Sequence, residues 1–210
     1  MARVPAAERR TELVQAAVRV ATREGLSAAT TRRIAKEAGV SVGIVHYCFR
    51  SKEELLSEVV REVAREGYVA AAHGLPNATG AAPADLIRAA VGAFWELVES
   101  TPDKQLLTYE VITWALRTPG VEVIAREQRD RQIEGIQHLM ELIASGAGIE
   151  WSAPVEDLAR IVLNVTDGVT LSWLVDRDSA AAVRALDVFI EQFASYARPV
   201  RRGARSRKAS

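Results

Sequence analysis

Apolar residues recur along this chain at helical spacing, in blocks separated by glycine, proline and small polar residues. Leu13, Ala17 and Val20 stand at i, i+4 and i+7 and predict a helix over 7–23, ended by Gly25. A shorter block over 31–38 puts Ile34, Ala35 and Ala38 on one face. Gly39 follows and permits a left-handed backbone that costs other residues about 1 kcal/mol or more. Ser41 is placed to cap a third helix over 42–49. Val45, Cys48 and Phe49 are expected on its inner side, and Val42, Gly43, Ile44, His46 and Tyr47 on its outer side. Ser51 and Glu54 have the spacing of a capping box and start a fourth helix, expected to reach residue 72 and to bury Leu55, Leu56, Val59, Val60 and Val63.

The stretch 73–83, HGLPNATGAAP, is a connector by composition. Beyond it the period predicts helices over 83–99, 103–117, 121–145, 154–175 and 179–197, broken at Thr101-Pro102, Thr118-Pro119-Gly120 and Gly146–Pro154. No strand-period segment is evident, so the fold class is all-α. The expected units are an N-terminal helix-turn-helix domain (1–50), a larger helical regulatory and dimerisation domain (51–198) and a basic disordered tail (199–210). The last two helices have broad apolar faces: Leu158, Ile161, Val162, Val165 and Val169 on one, Leu186, Phe189, Ile190 and Phe193 on the other. Such faces are either internal core or, paired with a second copy, the four-helix bundle of a homodimer.

Charge changes the picture more than composition does. The 210 residues hold 27 basic and 27 acidic side chains, a net charge of zero. Yet residues 1–50 have nine Lys/Arg against four Asp/Glu, and residues 83–197 have nine against eighteen. A basic N-terminal unit on an acidic body suits nucleic acid at one end only. No apolar run approaches the ~18 residues of a membrane span, the N-terminus lacks a signal-peptide stretch, and one cysteine excludes an internal disulfide framework. A soluble cytoplasmic protein without membrane contact is expected.

Ala35, Gly39 and Val45 are the small residue, turn glycine and buried branched residue of a helix-turn-helix crossing. The outer side of the second helix has no acid, which suits methyl contacts and hydrogen bonds in a major groove. Thr31, Ile34, Ala35, Ala38, Gly39, Val40, Ser41, Gly43, Phe49, Lys52 and Leu55 together resemble the DNA-binding motif of the tetracycline-repressor (TetR) family. The match covers about a quarter of the chain. His46 departs from it, because many members have an aromatic residue there. From the helix assignments, Thr30, Thr31, Arg32 and Lys52 are expected at phosphates, and Tyr47 at a phosphate or a thymine methyl. Val42, Gly43, Ile44 and His46 are expected at base edges, whereas Arg33 either touches DNA or stays solvated. Two dyad-related copies would read a palindrome in double-stranded DNA.

The resemblance also implies a small-molecule effector among the helices of the second domain. Phe94, Trp95, Tyr109, Trp114 and Trp173 are its candidate lining, or else ordinary core. A ligand-released repressor follows from the same resemblance. A DNA-binding regulator or architectural protein controlled by a protein partner, and an all-α enzyme, are the competing readings. No phosphate loop, GxGxxG, nucleophile elbow or HExxH occurs, so neither catalysis, nor a cofactor, nor a metal is expected.

Overall fold

The computed structural model describes residues 5–66 and 81–200, and among these not the side chains of 64–66. The connector from 73 to 80, the last turns expected of the fourth helix and the tail from 201 lie outside the described residues. The elements are α1 (Ala6–Glu24), a 3-10 turn (Leu26–Ala28), α2 (Thr31–Glu37), α3 (Val42–Cys48), α4 (Lys52–Glu66), α5 (Pro83–Ser100), α6 (Pro102–Arg117), α7 (Glu122–Ala147), β1 (Ile149–Trp151), α8 (Val155–Asp176), α9 (Ser179–Ala194) and β2 (Ala197–Pro199).

Local chemistry sets the boundaries in the first half. Thr30 caps α2, its hydroxyl accepting the Arg33 N–H at 3.2 Å. Gly39 has φ +67°, the left-handed turn its position requires. Ser41, in contrast, makes no side-chain cap on α3. At the start of α4 the Ser51 hydroxyl accepts the Glu54 N–H at 3.1 Å. The return bond reaches one residue further back, with Glu54 Oε2 accepting the Arg50 N–H at 2.7 Å.

The packing forms two cores. The first joins Leu13, Val20, Ile34, Ala35, Val45, Phe49, Leu55, Leu56, Val59 and Val60 to Leu107, Val111 and Ala115 of α6 and to Val121 and Ile124 beside the start of α7. The apolar core of the N-terminal unit therefore extends well beyond residue 50. The second core is built from α5, the later part of α7, α8 and α9. Leu158, Leu186, Ile190 and Phe193 lie within it, each at most 3% exposed, so the protomer itself uses the residues expected to meet a partner. Val162, Val169 and Phe189 pack half-buried against the same core, and Ile161 stays 41% exposed.

The all-α class holds, with one small two-stranded sheet that the sequence did not announce. β1 and β2 pair antiparallel, with Glu150 opposite Arg198 and Trp151 opposite Ala197. Three-residue strands are too short to leave a period in sequence. Trp151 anchors the pair, donating its Nε1–H to the Met140 carbonyl at 3.1 Å and packing 5.6 Å from the Phe193 ring. Because Ala197–Pro199 is extended, α9 stops at Ala194 rather than near 197. By length and composition alone α8 is apolar enough to cross a membrane, and 33% of its apolar stretch is buried in the protomer.

Candidate nucleic-acid interface

The outward surface of α3 is narrower than its sequence implies. Gly43, His46 and Tyr47 are exposed, and Tyr47 keeps 75% of its surface in solvent. Val42 and Ile44 instead turn partly inward and pack against the first core, which limits their reach to base edges. A seven-residue helix crossing α2 has only about two turns, so residues flanking Val45 share its burial. Arg32, Lys36 and Arg50 are exposed and, among the described residues, form no ion pair. Lys52 is half-buried, also unpaired, and opens α4 at the end where the helix dipole disfavours a cation.

Arg33 is committed elsewhere. It bonds Glu24 through Nε at 3.1 Å and Glu37 through Nη1 at 3.4 Å. Glu37 also takes Arg23 at 2.6 Å and Arg19 at 3.2 Å. The hydrogen bond from Arg23, then that from Arg19, holds the Glu37 carboxyl down at about 2. This network ties α1 to α2 on the surface and holds the Arg33 guanidinium between two carboxylates.

Arg10 of α1 performs the matching task for α3 and was not visible in the sequence pattern. Its guanidinium donates to the Cys48 carbonyl and to Glu54 Oε1 at 2.9 Å, and lies 4.2 Å from the centre of the Phe49 ring. One side chain thus joins the end of α3 to the start of α4, across 38 and 44 positions of sequence. A lone arginine in an amphipathic helix leaves no signal of such a role.

The aromatic residues of the second half separate. Trp95 and Trp173 meet edge to face, ring centres 5.6 Å apart, and Phe94 packs nearby against the second core. Trp114 belongs to the first core instead. The Tyr109 phenol donates to the Asp167 carbonyl at 2.9 Å. Burial, with the Asp167 charge behind it, raises the Tyr109 phenol well above its ordinary range. Burial likewise raises the Asp167 carboxyl, although Arg129, 2.9 Å away, opposes this. Five buried side-chain atoms lack a close hydrogen-bond partner among the described residues: Thr22 Oγ1, Glu122 Oε2, Trp95 Nε1 on α5, Gln128 Oε1 on α7 and Thr170 Oγ1 on α8, the last lying beside the Tyr109 phenol. Gln128 and Thr170 carried no distinguishing sequence signal, being single polar residues in long helices.

Residues 13–59 match the family model described as bacterial regulatory proteins, tetR family. Over 178 residues the chain is 27% identical to the nicotine-responsive transcriptional repressor HdnoR of Paenarthrobacter nicotinovorans, covering 83% of this chain and 88% of that protein. It is 48% identical to the transcriptional regulator BetI of Vibrio atlanticus over 58 residues, 28% of this chain and 29% of BetI. Among solved structures, a transcriptional regulator from Rhodococcus sp. Rha1 superposes with a TM-score of 0.70 at 24% identity, over 91% of this chain and 98% of that one. The multidrug binding protein EbrR complexed with imidazole gives 0.66 at 24% identity, over 93% and 98%. The matched segment spans α2, the Gly39 turn and α3 described above, and the fold agrees along nearly the whole chain. The chain belongs to the TetR family of bacterial regulatory proteins, which are DNA-binding transcriptional regulators and not enzymes.

Proposed function

We propose that this protein is a homodimeric repressor that a small nitrogenous organic ligand releases from a palindromic operator. The observation that carries the ligand-responsive part is the pair of buried polar atoms Trp95 Nε1 and Gln128 Oε1, unpartnered among the described residues. Each costs about 1–3 kcal/mol if left unpaired, and a ligand bonding them recovers that cost. The Trp173 ring meets Trp95 edge to face and adds aromatic surface beside the Trp95 indole. HdnoR is named as nicotine-responsive, and EbrR is seen with imidazole, ethidium and malachite green, all nitrogen bases or cations. Trp114, in the other core, has no part in this site.

In this reading residues 1–50 are the DNA-binding unit and 51–198 the regulatory and dimerising one. Gly43, His46 and Tyr47 face the bases, with Val42 and Ile44 lending methyl contact at the edge. Thr30, Thr31, Arg32 and Lys52 meet phosphates. Dimerisation uses the outward side of α8 and α9, where Ile161, Leu171, Val175 and Val188 are exposed. Exposed apolar residues along a helix with only a third of its apolar window buried support that choice. The protein then works in the cytoplasm, where its DNA lies.

The test joins two measurements on full-length protein. Selection from random duplexes should recover a palindrome with half-sites about one turn, ~34–36 Å, or a multiple apart. A thermal-shift screen of nitrogenous aromatics should find compounds that raise the melting temperature with concentration and release that DNA. Palindrome recovery with no stabilising compound would overturn the ligand and favour control by a protein partner.

A further inference from the structure

Helix α6, seated in the first core, bonds both α8 and the corner between α1 and α2 from neighbouring positions. Tyr109 donates its hydroxyl hydrogen to the Asp167 carbonyl on α8 at 2.9 Å, with the Thr170 side chain beside the phenol. One residue on, Glu110 Oε2 accepts the backbone N–H of Leu26 at 2.6 Å. Leu26 opens the 3-10 turn between α1 and α2, a position with no acceptor inside the turn itself. The two segments approach closely there. A Cβ on Gly25 would stand 3.6 Å from Glu110 Oε1, and Gly25 has φ +85°, which favours glycine in any case.

Beyond Leu26 the backbone is bonded without a break to the helix-turn-helix. Ala29 N–H reaches the Leu26 carbonyl at 3.2 Å, Thr30 N–H the Ala28 carbonyl at 2.7 Å, and Thr30 caps α2. Ile34 and Ala35 of α2 then hold α3 through Val45 in the shared core. Leu107, Val111 and Ala115 seat α6 in that same core, so a shift of α6 cannot be absorbed by loose packing.

We propose that Glu110 is a positioning residue through which α6 passes displacements of the regulatory half to the α1–α2 corner and so to α3, a route that does not run through α4. The proposal rests on the ligand-responsive reading above, because it names how a change around Tyr109, Asp167 and Thr170 reaches the DNA-reading surface. A charge-assisted bond across two halves of the molecule is strong enough to drag the turn with the helix, and directional enough to release it when α6 rotates.

The test is a double-mutant cycle on full-length protein, read by amide hydrogen exchange in peptides covering residues 24–30 and by affinity for a duplex selected with the unaltered protein. Glu110→Ala should speed exchange at Leu26 by about tenfold and weaken DNA binding severalfold, and Glu110→Gln, which keeps an acceptor, should restore most of both. Tyr109→Phe removes only the hydroxyl on the other side of α6. It should raise exchange at 24–30 and lower DNA affinity when Glu110 is present, and do neither in the Glu110→Ala background. Overturning results are independent, additive effects of the two changes, or a Tyr109→Phe variant that leaves residues 24–30 and DNA affinity untouched. If instead only the ligand reading were wrong, no compound would stabilise the protein, yet the cycle would still show coupling.

Discussion

Replacing Lys52 with alanine separates a DNA contact from a folding contact. Lys52 opens α4 where the dipole disfavours positive charge, and it forms no ion pair among the described residues. Its removal should therefore change stability by no more than about 0.5 kcal/mol. If each copy neutralises one phosphate, each contributes about 0.9 to the slope of log affinity against log salt, or about 1.8 for two copies. Between roughly 50 and 200 mM salt, that slope amounts to a loss of about tenfold more affinity in the unaltered protein than in the variant. Fluorescence anisotropy with a selected duplex across the salt series measures it directly. Arg33→Ala is the control, because Glu24 and Glu37 hold that guanidinium, and its slope should match the unaltered protein. An unchanged slope for Lys52→Ala, or an equal fall for Arg33→Ala, would refute the placement of Lys52 at a phosphate.

Three further expectations follow from the packing. Glu37 is held at about 2 when folded against an ordinary 4.5, so its stabilising effect is complete above 4.5 and is lost as pH falls towards 2. Melting temperatures of the unaltered protein should drop more steeply over that range than those of Glu37→Gln, and parallel curves would remove the network from the stability account. Val188→Asp alters a residue 63% exposed in the protomer and should leave each protomer folded while sedimentation velocity shows monomers; a persistent dimer would move the interface elsewhere. Trp95→Ala deletes a ring 5% exposed and packed edge to face on Trp173, at a cost of about 3–5 kcal/mol in chemical denaturation. A cost below about 1 kcal/mol would mean that the surrounding helices close over the gap.

Gly25, Gly39, Thr30 and the Ser51–Glu54 pair announce their roles in sequence, because each satisfies a backbone need within four residues of itself. The helix-turn-helix and nearly every helix boundary were legible for that reason. β1 and β2 were not, since each strand exists only where the other reaches it across 48 residues, with Ile149 opposite Pro199 at one end and Trp151 opposite Ala197 at the other. The outward face of α3 was legible in part. Gly43, His46 and Tyr47 are exposed as its period implies, whereas the burial of Val42 and Ile44 depends on how closely α3 lies against the first core.

Apolar period alone cannot say whether a stripe faces its own protomer or another molecule, because burial stabilises either choice by the same solvent release. Of the stripes that could be core or interface, Leu158, Leu186, Ile190 and Phe193 are core in the protomer, whereas Ile161, Leu171, Val175, Val183 and Val188 stay exposed on α8 and α9. Long charged side chains are harder still to place. Arg10, Arg33 and Glu110 read in sequence as solvated helix residues, and distances of 9 to 84 positions separate them from the main partners that define them. What this chain determines by itself is whatever local backbone chemistry and helical period can encode, namely the helices, their caps and the DNA-reading motif. The division into two cores, the pairing of Arg33 with Glu24 and Glu37 and the bond from α6 to Leu26 were decided by tertiary structure, since only folding brings those groups within hydrogen-bonding and packing distance.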